Sequence, residues 1–386
     1  MPVATALPAT LRTLVDRFDA SALELPPAGA RVRLEIDGEG WDVTLSATGV
    51  EDLGPAEGAR PAALLRADSA TWAKVAADLR GGMAAFRAGR LAVRHDLGLG
   101  VGFLAATSGS TDPGRLRFRR IATPLGDLAA MEAGTGTPLV MLHGLGATKV
   151  SFLPTVPALA ARHRVVALDL PGFGDSDKPI GSYDAPFMAE RVLAALDALG
   201  LDRTHLLGHS MGGRVALEVA FDHPQRIDRL VLMTPSLAWL KERRWAPWLK
   251  LLRPELGLLQ PAPRALVDGI VRRVVPGADR DGWAAVAADE FVRSYTDPRG
   301  RHAFYAAARS IYLEEPDRFW ERLRALAPRS LFVWGRKDPL VPIGFMRHVE
   351  RALPQAEHVE LDCGHVPQME APGRLHRAIE NFLRDG

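Results

Sequence analysis

Cysteine is nearly absent from this sequence, because Cys363 is the only one among 386 residues. A single cysteine excludes an intrachain disulfide, and a reducing compartment therefore suits the chain. A block of basic residues is also missing. Lysine and arginine are interleaved with aspartate and glutamate and leave a net charge of +2, a pattern that argues against nucleic-acid binding.

Long apolar runs and ligand-binding fingerprints are missing as well. The most apolar segment, Leu97–Ala106, has about half the length that spans a bilayer, and the first 18 residues lack the features of a secretory signal. No metal-ligand spacing or phosphate-binding fingerprint occurs. We therefore expect a cytoplasmic protein without stable membrane insertion, metal or organic cofactor, although transient contact with a membrane surface stays open.

What the chain does contain is a globular composition, with 47% hydrophobic and 24% charged residues. A small, polar run at 107–114 interrupts the apolar pattern, as linkers do. We expect a first domain at 1–108, a linker at 109–115 and a second domain at 116–386.

The first domain mixes helical and strand patterns. Apolar residues at helical spacing predict an opening helix over 11–18, and alternation on both sides of the turn 37–40 predicts a hairpin. Further elements are expected as a strand at 63–67, helices from 69 to 79 and from 83, and a strand at 91–94. This order predicts a small α+β domain.

Three features of this domain resemble the sterol-carrier-protein-2 family: the hairpin Arg31–Ser46, the helix at Trp72 and the segment Phe86–Asp96. The sequence departs from that family in having Gly89-Arg90 and His95-Asp96 where a Gly-Lys strand ending in Gly-Asp is usual. The resemblance covers nearly all of the first domain and implies an apolar tunnel for an acyl chain or a sterol. The alternative is a folded appendage that only stabilises or dimerises the enzyme.

The second domain alternates short apolar strands with helical patterns. Strands are expected at 117–123, 128–132, 139–142, 165–168, 205–207, 230–233, 331–334 and 358–361, and helices at 188–199, 211–221, 343–352 and 374–383. Buried parallel strands have this pattern, which predicts a doubly wound, mostly parallel α/β sheet.

Residues 236–326 break that alternation, because they are helical in pattern and contain no apolar strand. A helical insertion at this place is expected to form a cap over the site. It holds five of the eight tryptophans, which line an apolar cavity or pack the cap's own core: Trp239, Trp245, Trp248, Trp283 and Trp320.

Gly208-His-Ser-Met-Gly212 places Ser210 between an apolar strand and a helix. The small residues on both sides permit the sharp turn of a nucleophile elbow, and the helix N-terminus brings free N–H groups beside the hydroxyl. A serine needs a base to act as a nucleophile. Among eleven histidines we choose His365, because it lies on a loop after a predicted strand near the C-terminus.

The base in turn needs an acid to orient it. Asp338 follows the strand 331–334, whereas Asp362 is only three residues before His365 and too local, and the sequence 234–236 after the preceding strand has no carboxylate. The oxyanion is expected to bind the backbone N–H groups of Met211 and Leu145. The second of these lies in the turn that follows the first parallel strand.

Five motifs in this order resemble the α/β-hydrolase superfamily, in its capped esterase/lipase and carbon–carbon-bond hydrolase branch. They are His143-Gly-Leu-Gly146, Asp169-Leu-Pro-Gly-Phe-Gly-Asp-Ser176, Gly208-His-Ser-Met-Gly-Gly213, Trp334-Gly-Arg-Lys-Asp-Pro339 and Gly364-His365. The resemblance covers 116–386 and implies the triad Ser210, Asp338 and His365. The serine argues against dehalogenases and epoxide hydrolases, which carry aspartate there.

We therefore expect a serine hydrolase that cleaves carboxylic esters of small apolar or fatty-acyl substrates through an acyl-enzyme. Carbon–carbon-bond hydrolysis and acyl transfer to an alcohol are alternatives on the same triad. A lipid-binding carrier whose hydrolase domain is incidental is the alternative outside enzymes.

Overall fold

The computed structural model describes residues 8–56, 58–77, 85–86, 88–110, 112–237, 251, 253–274, 283–310 and 316–384. The chain forms two compact units. The first contains Met1–Arg119 together with Ala262–Arg293, and the second contains Arg120–Pro261 together with Ser294–Gly386.

The first unit is built on a five-stranded sheet with the order β3-β2-β1-β4-β5, in which only β1 and β4 run parallel among the recorded pairs. Helices α1 and α2 contact each other, and α3 packs on β4 and β5. The elements are α1 (Ala9–Val15), β1 (Ala30–Ile36), β2 (Glu39–Ser46), β3 (Gly49–Pro55), β4 (Ala63–Ala67), α2 (Ser69–Ala77), β5 (Ala92–Arg94) and α3 (Leu97–Ala106).

The predicted hairpin is present as β1 and β2. Ile36 pairs with Glu39, and the two turn residues Asp37 and Gly38 have φ angles of 50° and 92°, as a two-residue turn that matches strand twist requires. Strand β3 was not predicted from the sequence. It is an edge strand without a single buried residue, so it carries no apolar alternation.

The apolar, glycine-spaced segment after β5 forms the helix α3, to which the sequence had assigned no element. Glycine at 100 and 102 allows this helix to approach its neighbours closely. A Cβ atom at Gly100 would lie 2.4 Å from Val93 Cγ1, and one at Gly102 would lie 2.5 Å from Leu23 Cδ1. Close packing therefore offsets the low helix propensity of these glycines.

The second sheet has eight strands in the order β13-β12-β11-β10-β8-β9-β7-β6. Strands β8 to β13 pair in parallel, and β7 pairs antiparallel with β9, which confirms the mostly parallel sheet. The strands are β6 (Arg117–Ile121), β7 (Leu128–Ala133), β8 (Thr137–Leu142), β9 (His163–Leu168), β10 (Thr204–His209), β11 (Ile227–Met233), β12 (Arg329–Gly335) and β13 (Glu357–Leu361).

Eleven α-helices follow β8 in the described part of the chain. They are α4 (Val156–Leu159), α5 (Ala185–Ala198), α6 (Met211–Asp222), α7 (Pro254–Leu259), α8 (Arg264–Val274), α9 (Trp283–Thr296), α10 (Pro298–Ser310), α11 (Pro316–Arg324), α12 (Met346–Ala352), α13 (Pro367–Glu370) and α14 (Pro372–Arg384). None of the helices, as far as the chain is described, has the length and hydropathy needed to cross a bilayer.

Residues 262–293 fall within the predicted insertion but belong to the first unit. The carboxylate of Asp289 is nearly fully buried and accepts hydrogen bonds from Arg94 Nε (2.7 Å) and from the backbone N–H of His95 (3.1 Å). Glu290 accepts the backbone N–H of Leu97 at 2.9 Å. The pKa of Asp289 is lowered, because Arg94 and the other donors outweigh the effect of burial. These bonds connect segments about 195 residues apart.

The described residues of the predicted cap, 236–326, form helices α7 to α11 and no strand. Several sequence predictions lie outside the described residues: the end of the helix at 78–79, the helix from 83, and three tryptophans at 239, 245 and 248. The domain boundaries at 108 and 116 stay predictions.

Candidate active site

Ser210 occupies the turn between β10 and α6, in a conformation that side chains rarely adopt, with φ 52° and ψ −115°. The backbone is held there by its N–H, which donates to Met233 O at 3.0 Å, and by its carbonyl, which accepts the N–H of Ser236 at 3.0 Å. A Cβ atom at Gly212 would lie 2.2 Å from Leu142 O, so the turn requires glycine at that position. The strained turn presents the hydroxyl at the carboxyl end of the sheet.

The structure brings Ser210, His365 and Asp338 together. Ser210 Oγ lies 3.0 Å from His365 Nε2, and His365 Nδ1 lies 2.7 Å from Asp338 Oδ2. Since the carboxylate can only accept, Nδ1 carries the proton and Nε2 is left to accept the serine hydroxyl. Three residues spread over 155 positions thus form one chain of hydrogen bonds.

Asp338 is fixed on the turn that follows β12. Its side chain is fully buried, and its second oxygen, Oδ1, accepts the backbone N–H groups of Leu340 at 2.7 Å and Val341 at 2.9 Å. Asp362 instead faces solvent and pairs with Lys337 at 2.9 Å. The structure therefore places Asp338, and not Asp362, at the imidazole.

The loop that carries His365 is held from two sides. Its carbonyl oxygen accepts hydrogen bonds from His209 Nε2 at 2.7 Å and from Thr234 Oγ1 at 3.1 Å. The carboxylate of Glu370 accepts the backbone N–H groups of the two flanking residues, Gly364 at 2.6 Å and Val366 at 2.9 Å. Four hydrogen bonds therefore fix the backbone around the imidazole.

His209 is neutral in this environment. Burial lowers its pKa to about 3, and the neighbouring His365 contributes in the same direction. Because the carbonyl of His365 can only accept, the hydrogen of the His209 ring is on Nε2. Sequence reasoning had given His209 no part in the site beyond being a neighbour of Ser210.

The turn after β8 contacts the nucleophile. A Cβ atom at Gly144 would lie 3.2 Å from Ser210 Cβ. His143 holds this turn, since its Nδ1 lies 2.8 Å from Gly144 O and its Nε2 accepts the N–H of Leu170 at 3.0 Å. Leu145 and Met211, whose N–H groups are the expected oxyanion donors, directly follow Gly144 and Ser210 in the sequence.

A buried ion-pair cluster supports the same region. Lys149 Nζ lies 2.7 Å from a carboxylate oxygen of Asp169 and 2.7 Å from one of Asp175, and the Asp169 side chain is fully buried. Burial opposes the charge of the lysine, but the two carboxylates outweigh it and raise its pKa. The Asp169–Ser176 loop therefore acts as a structural support.

A model of the α/β-hydrolase fold matches residues 137–372. The chain belongs to the α/β-hydrolase family. Its second sheet is mostly parallel, as the family resemblance implied, and Ser210 lies in the turn between β10 and α6.

Curated relatives of this α/β hydrolase have several activities. An acetyltransferase component of an acetoin cleaving system from Pseudomonas putida is 33% identical over 261 residues, which are 64% of each chain. A 2-hydroxymuconate semialdehyde hydrolase from Pseudomonas putida is 31% identical over 66% of this chain and 89% of its own. A pimeloyl-[acyl-carrier protein] methyl ester esterase from Aeromonas hydrophila is 30% identical over 65% and 96%. The chain thus spans under two thirds of the first relative.

The residues that sequence reasoning missed in this α/β hydrolase are Thr234, Glu370 and the structural use of His209. Glu370 follows the base by only five positions, and a carboxylate so close to a loop is a usual acceptor for loop N–H groups. Within the described ranges, no three histidine, cysteine or carboxylate residues are grouped as metal ligands.

Proposed function

We propose that the protein is a serine hydrolase that cleaves carboxylic esters through a covalent acyl-enzyme. The observation that carries this proposal is the hydrogen-bonded chain from Ser210 Oγ through His365 to Asp338. An unassisted serine hydroxyl is a weak nucleophile, and this arrangement supplies the base that activates it.

In the first step, Ser210 Oγ attacks the ester carbonyl carbon while its proton moves to His365 Nε2. The N–H groups of Leu145 and Met211 stabilise the negative oxygen of the tetrahedral intermediate. Asp338 holds the imidazole in the required tautomer and stabilises its positive charge. His365 then gives the proton to the leaving alcohol oxygen, and the acyl group stays on Ser210.

In the second step, water attacks the acyl carbon and passes a proton to His365 Nε2. The tetrahedral intermediate collapses, the proton returns to Ser210 Oγ, and the carboxylic acid leaves. No cofactor takes part in either step. The proposed substrates are apolar or fatty-acyl esters, which the tryptophan- and leucine-rich composition of 236–326 supports.

For the first unit we propose binding of a lipid that the hydrolase unit then uses. The sequence resemblance to sterol carriers and the antiparallel hairpin at the centre of its sheet support this role. Retention of a fluorescent fatty acid by the full-length Ser210→Ala protein is the expected result. Absence of binding at micromolar lipid would leave the unit as a structural appendage.

The direct test is labelling of the full chain with a fluorophosphonate, followed by hydrolysis of p-nitrophenyl esters of increasing chain length. Ser210→Ala abolishes labelling and lowers turnover by about 10⁴-fold or more, whereas the exposed control Ser69→Ala changes neither. Full turnover in Ser210→Ala would refute the mechanism.

Carbon–carbon-bond hydrolysis is the second candidate, because the 31% identical relative is named a semialdehyde hydrolase. The same triad serves both reactions. Turnover of a vinylogous diketone at a higher kcat/KM than any ester of the panel would favour it. Ester products that appear when an alcohol is added would instead favour acyl transfer.

A further inference from the structure

A cavity of about 610 Å³ lies in the second unit beside the residue that follows the nucleophile. Its walls come from the start of α5 and the chain before it, from one face of α6, and from α7, α10 and α11. The volume is in the range of small-molecule sites. Met211, whose N–H is an expected oxyanion donor and which directly follows Ser210 in the sequence, is part of the wall.

One part of the wall is apolar. Aliphatic and thioether side chains contribute it, from α5, α6 and α10: Met188, Met211, Val215 and Ala306. These side chains are almost completely buried and present no hydrogen-bonding group. This part of the wall therefore suits a chain of methylene groups.

Four arginines also line the cavity, and two of them already have carboxylate partners. Glu218 accepts from Arg214 at 2.6 Å and from Arg322 at 2.7 Å, and Arg322 also pairs with Asp222 at 2.6 Å. Burial opposes the charge of Glu218, but the two arginines outweigh it and lower the pKa. This cluster is neutralised within the protein.

The other two arginines have no carboxylate partner among the described residues. Arg309 is half-buried, and its Nε is enclosed without a hydrogen-bond acceptor. Arg318 is exposed, and it has no ion pair within the described part of the chain. Of the remaining acids on the wall, Asp184 accepts the N–H of Phe187 at 2.9 Å and Glu255 faces solvent. Within the described residues, the cavity thus combines an apolar wall with two cations that have no carboxylate partner.

We propose that this cavity binds the acyl chain of the substrate, and that the chain ends in a carboxylate held by Arg309 and Arg318. The substrate would then be a half ester of a dicarboxylic acid. This inference rests on the proposed ester hydrolysis and narrows its substrate class. A guanidinium without a partner in a partly enclosed site gains charge-assisted hydrogen bonds from such a group.

The test compares aryl half esters of straight-chain dicarboxylic acids of six to ten carbons with aryl alkanoates of the same length. The wild type is expected to give a higher kcat/KM for the half ester at one chain length at least. Arg309→Met lowers this preference for the half ester over the alkanoate of the same length by about 10- to 100-fold. Arg318→Met has a smaller effect, and the exposed control Arg351→Met has none.

An unchanged preference in Arg309→Met, or a wild type that prefers alkanoates at every length, would overturn the inference. Binding of the free dicarboxylates to Ser210→Ala, measured by calorimetry, separates it from the proposed function. Dicarboxylate binding that is lost with Arg309→Met, in a protein that hydrolyses no ester, would keep the anion site and reject ester hydrolysis. Ester hydrolysis by the wild type, without dicarboxylate binding to Ser210→Ala, would keep the proposed ester hydrolysis and reject the anion site.

Discussion

His209 donates a hydrogen bond from Nε2 to the backbone carbonyl of His365, and the two atoms are 2.7 Å apart. The neighbour of the nucleophile in sequence is therefore in direct contact with the backbone of the base. This hydrogen bond therefore couples the position of the loop that carries His365 to the orientation of the turn that carries Ser210.

Replacing His209 tests that coupling. We expect His209→Ala to lower kcat by about 3- to 10-fold with little change in KM, because one hydrogen bond to the base loop is lost. His209→Gln retains a donor and loses less. Steady-state kinetics and the rate of fluorophosphonate labelling are the measurements. A change in KM alone would show that His209 contacts substrate instead of the base loop.

Replacing the acid tests the tautomer argument. Asp338→Asn is expected to lower kcat by about 10⁴-fold, because the amide favours the wrong tautomer of His365. Asp362→Asn is the matched control, since this exposed aspartate lies three residues before the same histidine and pairs with Lys337. It should stay within about twofold of the parent, as for a surface pair. Equal losses in both variants would reopen the assignment of the acid.

The buried carboxylate in α9 is expected to stabilise the first unit. Asp289→Asn removes the charge that faces Arg94 and lowers the free energy of unfolding by about 2 kcal/mol. Asp268→Asn is the control, because that aspartate is half-exposed and its pair with Arg272 contributes under about 1 kcal/mol. Hydrogen exchange of residues 92–97 and 286–293 reports the loss, and unchanged exchange in Asp289→Asn would contradict this.

Stability should fall below neutral pH, in part because of His205 on β10. Burial lowers its pKa to about 4, although Asp228 opposes the shift. The unfolded chain, with a histidine pKa near 6.5, binds the proton first, so the free energy of unfolding falls as the pH drops from about 6.5 to 4. His205→Gln should flatten this decline in urea unfolding measured at several pH values. A decline of equal steepness would assign the effect to other groups.

How much of this could be predicted follows from the kind of signal that each part leaves in the sequence. Parallel strands such as β8 and β11 are continuous apolar runs, and the elbow has a motif. Thr234 acts on a backbone carbonyl 131 positions away, and Glu370 acts on backbone N–H groups four and six positions away. Neither kind of contact leaves a periodic pattern. The pairing of Asp289 with Arg94 joins segments 195 positions apart in the sequence. Composition carries no signal of such a contact, so the sequence predicts residues 262–293 only as part of the helical insertion.

That long-range pairing has a consequence for synthesis of the chain. The first unit includes residues up to Arg293, so its amino-terminal sheet leaves the ribosome long before α8 and α9 exist. The residues around Arg94 and Leu97 therefore have no contacts with α9 while the intervening strands of the hydrolase are synthesised. The first unit is therefore the first to be started during synthesis, but its fold can be completed only after the intervening part of the hydrolase has been synthesised.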